Sequence, residues 1–497
     1  MSTASPEPAA AQPPTRVRYG VLWFACSLSM ITYLDRVFMG SAQKSFVDAM
    51  GLGKPDMALV YAAFTVAYAC FEVPSGWLGD VFGPRNVLLR IVLWWSFFTA
   101  LTGMVGLSVG GRVLGSLWAL VLVRFLFGMG EAGAYPNITR SLHNWFPLQE
   151  RGFAQGAVWM SGRLMGGLTP LVWLLLVEGV KAHRQIGQQV LETVYVPPLM
   201  GWTSPFLDPW RASFLLLGVI GVVWCVFFLL RFRNRPEEKP QVNAAELALI
   251  RGDRTESQAG HAHVPWKRIL SSSNLWFLCL MYACQAYAWY FFITFISDFM
   301  AAQYEVKPGD VLGAVYKGGP LLFGAVGCLA GGFLTDRYVR RTGDRRWGRR
   351  LIGLLGHGSA GLCFLFCPVA PTAFWFFLAI SMSAFCMDLT MAASWATCQD
   401  IGRRYAAIVA GCMNMIGNLG GAVANLVTGF IVGRTLKAYA DSLGIPIDQL
   451  SEAQKAAGEG PGFKIAFVTF AAAFVLGVIC WSRIDASKPV APEEEHA

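Results

Sequence analysis

Charge is what this chain of 497 residues has least of: only 14% of it is Asp, Glu, Lys or Arg, against about 25% in soluble domains. So little charge cannot cover a water-facing surface, which excludes an ordinary set of two or three soluble domains. Paired cysteine is also missing. All 12 cysteines fall within apolar stretches, and none has His or Cys partners at ligand spacing. That excludes a disulfide framework or a structural metal site and leaves them as small apolar side chains. The chain carries no catalytic triad, HExxH motif or phosphate loop, so no enzyme, cofactor or metal is expected. His143, His183, His261, His263 and His357 are read as lying in loops or near span ends, and His496 in the C-terminal tail. The segment from Met1 to Pro14 shows no cleavable signal pattern.

What is present is apolar. Hydrophobic residues make up 55% of the chain, with 35 Phe and 18 Trp, and the mean hydropathy is +0.46. A helix needs about 20 apolar residues to cross a hydrocarbon core of about 30 Å. Such runs fall at 18–40, 57–79, 86–110, 115–138, 152–178, 211–232, 274–300, 311–334, 350–370, 373–398, 405–431 and 462–482. Pro368 and the Pro371–Thr372 turn divide the ninth from the tenth. The expected fold class is an all-α membrane protein with twelve transmembrane helices, and 53 glycines suit helices packed through small faces.

The net charge of +9 would suit nucleic acid, but its distribution suits a bilayer. If the N-terminus is cytoplasmic, most of the 40 basic residues fall on the cytoplasmic side. Both termini are therefore expected in the cytoplasm, with the protein in the plasma membrane and no nucleic-acid partner. The chain divides into a tail (1–17), a six-helix half (18–232), a basic linker (233–273), a second six-helix half (274–482) and a C-terminal tail (483–497). Within the linker, Asn243 to Arg251 has helical periodicity and is expected along the membrane surface. Two outer loops, 179–210 and 432–461, are unusually long.

The halves repeat. Gly76-Trp-Leu-Gly-Asp80 follows the second run, and Gly332-Phe-Leu-Thr-Asp336-Arg337 follows the eighth, 256 residues later. Glu150-Arg151-Gly after the fourth is echoed by Asp400-Ile-Gly-Arg403 after the tenth. Two parallel six-helix repeats are one architecture of secondary transporters. Asp80 with Arg85, and Asp336 with Arg337, read as an inter-helix charge relay that latches one conformation.

An ionisable group in mid-bilayer costs at least about 2.5–3.5 kcal/mol, so each one inside a span is a functional candidate. The candidates are Asp35, Arg36, Glu72, Arg124, Glu131, Arg163, Lys317 and Asp388. Arg36 suits an anion, because its planar fork matches a carboxylate and keeps its charge. Asp35 suits a proton, because a buried carboxyl can exchange one near neutrality. Arg124 and Glu131 lie seven residues apart, two turns along one helix face. Glu72 and Arg163 either pair structurally or join this centre, and Lys317 reads as snorkelling to the outer interface. Asp388 falls 257 residues after Glu131, near its repeat-equivalent place. Asn414, Asn418 and Asn425 share one face, and with Gln285, Ser394 and Trp395 suit either a polyhydroxylated ligand or bonding between helices.

These residues carry a resemblance. Gly76-x-Leu-x-Asp80 with Gly83 and Arg85 resembles the loop signature of the major facilitator superfamily, with Asp-Val where Asp-Arg is usual. Tyr33-Leu-Asp-Arg36, the stretch from Arg124 to Glu131, Pro136, Trp145-Phe-Pro147 and Glu150-Arg151 resemble its anion:cation symporter family, as does the central segment from Pro240. That family includes bacterial galactonate, glucarate and hexuronate transporters and the animal sialic-acid and vesicular glutamate transporters. The resemblance implies proton-driven symport of a carboxylated sugar, such as an aldonate or hexuronate, by alternating access. It implies that Asp35 and Glu131 carry protons and Arg36 grips the carboxylate. Tyr33, Tyr68, Gln285, Ser394, Trp395 and Asn414, with Asn418 beside them, fall where the family has polar substrate contacts. Arg124, Glu72 and Arg163 would modulate the charge. The chain departs from the family pattern in Ser161-Gly-Arg163-Leu164, where sugar-acid members often have Gln in a Ser-Gly-x-Gln stretch, and at Glu72, where they often have Gln. The expected partners are a small organic anion, protons and the bilayer, with a monomer as the working unit. Exchange or efflux by the same fold, and a non-transporting sensor, are the alternatives.

Overall fold

The computed structural model describes residues 13–109, 112–186, 189–252, 264–304, 306 and 311–491. The outermost tails (1–12 and 492–497), linker residues 253–263 and the side chain of Lys317 lie outside the described residues, and so do the readings made of them.

Among the described residues, eleven runs are long and apolar enough to cross a bilayer, and one of them, Ala373–Leu443, is two helices, Ala373–Gly402 and Ala406–Leu443, joined at Arg403–Tyr405. The twelve spans are Val17–Ser41, Lys54–Phe82, Pro84–Met104, Leu117–Trp145, Arg151–Trp173, Pro209–Arg231, Ser273–Thr294, Val311–Thr342, Arg345–Phe366, Ala373–Gly402, Ala406–Leu443 and Glu452–Arg483. They are called spans 1 to 12 below. Large apolar side chains such as Phe97, Leu122, Leu230, Phe430 and Val475 point outward, as a lipid-facing surface requires.

Local sequence explains the breaks. Gly83 adopts φ 84° and Pro84 opens span 3, so one residue supplies a left-handed turn and the next a preset helical φ. Asp344 caps span 9 by accepting the Trp347 N–H at 3.0 Å. Cys367–Val369, with Pro368, forms a short 3-10 turn before span 10. Two expectations change. Segment 432–461 is mostly helix rather than loop, because span 11 runs to Leu443 and span 12 starts at Glu452. Apolar periodicity marks only the part in lipid, while the helices continue into water on polar residues. Segment 179–210 contains an antiparallel hairpin, Val180–Ile186 with Gln189–Val196.

The two halves use the same internal packing. Span 1 packs on 5, 2 on 4 and 3 on 6; correspondingly 7 packs on 11, 8 on 10 and 9 on 12. Between halves, span 2 lies on 11 and span 5 on 8. Glycine permits that approach: a Cβ on Gly76 would sit 2.5 Å from the Ala407 carbonyl oxygen, and one on Gly156 would strike that of Cys328.

The described parts of both tails and of the linker lie on one face, called the tail face here. Thr15 donates to Glu246 of the linker helix Ala244–Arg251 at 2.6 Å, and the Val490 N–H reaches the Ile401 carbonyl at 2.9 Å. Arg18 is buried there between Glu150 (2.9 Å) and Glu246 (3.0 Å), so the linker helix is pinned to the start of span 1. His357 is not near a span end. It is fully buried along span 9, with Gly477 against its ring and Phe474 edge-on at 5.6 Å.

Candidate functional site

Span 4 breaks at Glu131. The helix Leu117–Glu131 ends on Glu131, Ala132 is extended, Gly133 takes φ 84°, and a new helix runs Ala134–Trp145. Gly133 is required there, since a Cβ would collide with that of Ser75. The break leaves the Glu131 carboxyl at the negative end of a helix dipole, so it depends on a cation from elsewhere. Arg36 supplies it, donating from Nε to Glu131 Oε1 at 2.7 Å. Glu131 is buried, whereas 28% of the Arg36 side chain remains exposed. The Arg36 guanidinium lies 4.4 Å from the Tyr68 ring centroid, which holds its plane.

Asp35 points away from Arg36, towards span 3, where Thr99 donates to it at 3.4 Å and its second oxygen is buried without a partner. Adjacent helix positions differ by about 100° in direction, so this divergence follows from the sequence. Arg124 is buried on the same side, its guanidinium 4.3 Å from the Phe127 ring and 5.1 Å from that of Phe64. It makes no ion pair within 4 Å among the described residues, and its Nε is unpartnered.

Glu72 and Arg163 do not meet each other. Glu72 accepts a hydrogen bond from the Asn414 amide across the two halves. Arg163 forms a two-pronged pair with Asp388 on span 10, Nε to Oδ2 at 3.0 Å and Nη2 to Oδ1 at 3.2 Å. Its Nη1 donates to the Tyr33 hydroxyl at 2.7 Å, and the Trp289 ring covers it at 3.5 Å.

The polar residues of the second half divide. Gln285 is buried, donating to the Met387 carbonyl at 3.3 Å and accepting from Thr390 at 3.0 Å. Ser394 is fully buried and donates to its own helix at Thr390. Trp395 donates to the Tyr282 hydroxyl at 3.2 Å and packs 5.1 Å from Trp159, itself stacked on Tyr135 at 4.4 Å. Ser394 and Trp395 thus belong to a closed aromatic floor below the charged centre. Tyr33, Trp289, Tyr290 and Asn418 are only partly buried, as is Arg36. The buried Asn418 Nδ2 has no partner.

On the tail face the halves are latched, by partners other than those the motifs suggested. Asp80 accepts the N–H groups of Ala407 (3.2 Å) and Ile408 (2.7 Å) in the first turn of span 11, with Arg140 at 3.5 Å. Asp336 accepts those of Gly152 (3.0 Å) and Phe153 (2.6 Å) in the first turn of span 5, with Arg349 at 2.9 Å. Each half's motif carboxylate therefore caps a helix of the other half, because a helix N-terminus presents free N–H groups and positive potential. Arg349 also reaches Asp400 at 3.1 Å, which Arg151 meets at 2.8 Å. Arg85 instead donates to the Leu229 carbonyl at the end of span 6, and Arg337 is exposed beside Phe333. Sequence reasoning missed Arg349 and Arg140 as the partners of the two motif carboxylates. Arg349 stands within a run of arginines, and only the helical period, not composition, separates the inward one from the outward ones.

A membrane-embedded bundle of two like halves, with paired charges between them and a latch on one face, is the architecture of a secondary transporter. The Major Facilitator Superfamily profile matches residues 25–425. A probable sulfoacetate transporter of Cupriavidus necator is 31% identical over 425 residues, 84% of this chain and 88% of that protein. A probable galactarate/D-glucarate transporter of Escherichia coli K12 is 28% identical, over 88% of this chain and 91% of its own length. The E. coli fucose:proton symporter shares the fold at TM-score 0.63 and 12% identity, covering 95% of this chain and 100% of that one. The chain belongs to the major facilitator superfamily and, within it, to an anion:cation symporter-like family of transporters.

Proposed function

We propose that this protein carries a small organic anion into the cell together with protons, by rocking its two halves about the charged centre. The observation that carries the reading is the Arg36–Glu131 pair: an exposed-edged guanidinium neutralised by a buried, protonatable acid. While Glu131 is ionised it competes with any carboxylate for Arg36. Once Glu131 takes a proton, the guanidinium is free for the cargo, so proton and anion binding favour each other, and linkage makes the effect reciprocal. Asp35 is the second proton carrier, and the positive charge of the buried Arg124 acts on both acids. Sulfoacetate and galactarate or glucarate, the cargoes in the relatives' names, are small acids of the class this site suits.

The basic excess supports a reading in which the tail face of this plasma-membrane protein lies in the cytoplasm. The latch on that face then makes this the state open to the outside, which agrees with the exposed edge of Arg36. The working unit in this reading is a monomer. The test is uptake of radiolabelled sugar acids and sulfoacetate into proteoliposomes, with and without an acid-outside pH gradient. Accumulation that requires the gradient and is abolished in Arg36→Ala is expected. Equal uptake with and without the gradient would replace symport by exchange.

A further inference from the structure

We infer that Arg163 is a second anion-binding guanidinium, occupied in this state by Asp388 as a stand-in for cargo, and that the cargo is a small dianion with an acidic group at each end. The inference rests on the transport reading above and narrows its substrate class, away from singly charged aldonates and hexuronates.

Two arginine–carboxylate pairs occupy the charged centre. Arg36–Glu131 lies within one half; Arg163–Asp388 joins span 5 of one half to span 10 of the other. Alternating access moves those halves apart. A buried two-pronged pair across a moving interface would strand both charges on separation unless another anion takes the place of Asp388. The guanidinium is prepared for such a replacement. Tyr33 fixes one nitrogen at 2.7 Å and Trp289 covers one face at 3.5 Å. Asp388 fills only the remaining Nε/Nη2 edge, the edge that suits an incoming carboxylate or sulfonate. Tyr33 stands one helical turn from Arg36 on span 1, so the same phenol lies beside both arginines.

Charge balance then separates two cargo classes. A monoanion on Arg36 displaces Glu131 and leaves Arg163–Asp388 closed. A dianion displaces both carboxyls from their arginines. Asp388 faces Arg163 of span 5, with Tyr33 of span 1 and the Cys328 thiol of span 8 beside the pair.

The test uses purified full-length protein and two matched pairs of probes, D-glucarate with D-gluconate and sulfoacetate with acetate, measured by thermal shift and titration. At least about ten-fold tighter binding of the dianion in one pair is expected, as for a two-pronged charged contact. Arg163→Gln combined with Asp388→Asn removes both charges together, so no buried ion is stranded. It should bring dianion affinity down to the monoanion level and leave the monoanion within about two-fold. Arg163→Lys, which keeps the charge and loses the fork, should fall between. Equal binding within both pairs, or a double variant that weakens both probes alike, overturns the inference and leaves anion transport standing. Binding of none of the four, with Arg36→Ala indistinguishable from the parent, counts against the transport reading, and the inference falls with it.

Discussion

Replacing Glu131 by Gln keeps the shape of the side chain and removes its charge, so it separates proton coupling from cargo binding. In the parent, the cargo must displace a charge-assisted hydrogen bond of 2.7 Å between Glu131 and Arg36. Bonds to charged groups contribute about 1.5–3 kcal/mol. With 28% of the Arg36 side chain exposed, solvent screens part of this, and the lower end applies. Removing the competitor should therefore tighten anion binding at neutral pH by about ten-fold, the factor that corresponds to 1.4 kcal/mol. The sign with pH follows. In the parent, acidification protonates Glu131 and frees Arg36, so affinity rises as pH falls. In Glu131→Gln the guanidinium is free at every pH, so this dependence flattens. Binding would be followed by titration between pH 5 and 8, and transport by two proteoliposome assays. Gradient-driven accumulation should be lost, whereas counterflow exchange, which needs no net proton movement, should persist. A Glu131→Gln protein that still concentrates cargo on a pH gradient would refute the reasoning, as would unchanged affinity with the parent's pH dependence.

Three other outcomes follow from the contacts. Asp80→Asn with Asp336→Asn weakens two carboxylate caps between halves, each worth about 0.3–1 kcal/mol and up to about 2 where buried; tail-face opening, read by thiol labelling of Ala407→Cys against the parent background, should increase several-fold, and unchanged labelling would contradict the latch. Gly76→Leu places a side chain where a Cβ alone would sit 2.5 Å from the Ala407 oxygen; the protein should still fold but should not close on the tail face, with uptake reduced more than about ten-fold. Glu246→Ala leaves four donors from Thr15, Val17 and Arg18 without their acceptor, so thermal unfolding in detergent should shift to lower temperature by an amount corresponding to about 3 kcal/mol, with transport chemistry intact in the folded fraction.

The spans were legible because the hydrocarbon core imposes a length and forbids unpaired backbone. The charged candidates were legible for the same reason, since few residues inside an apolar run can ionise. Their partners were not. Arg163 and Asp388 lie 225 residues apart, and nothing local in Ser161-Gly-Arg163 indicates span 10. Glu72 and Asn414 are 342 apart. The repeat did point to Asp80 and Asp336, but a carboxylate can be satisfied by an arginine or by helix amides, and the sequence does not choose between them. The break after Glu131 had a signal, Gly133, that an uninterrupted apolar run concealed. Ser394 and Trp395 carry polar atoms and read as ligand contacts; in the fold those atoms are used by Thr390 and Tyr282.

Spans 5 and 10 suggest how the centre and the latch communicate. Arg151 meets Asp400 on the tail face, and Arg163 meets Asp388 twelve residues along each helix. The two helices run in opposite directions, so the pairs form two rungs about 18 Å apart at 1.5 Å per residue. A cargo anion on Arg163 releases only the upper rung. The lower rung then holds span 10 to span 5 by Arg151 alone, with Arg349 bracing Asp400 from within its own half. Rocking that opens the tail face must break this lower rung, and the cost is smaller once the upper one no longer resists the same displacement. Occupancy of the centre therefore lowers the barrier to opening without any contact between cargo and latch. Asp400→Asn, which weakens the lower rung, should accordingly raise tail-face labelling in the absence of cargo and reduce the further increase that cargo produces. If cargo raises labelling by the same factor in this variant as in the parent, the rungs act independently and the coupling runs elsewhere.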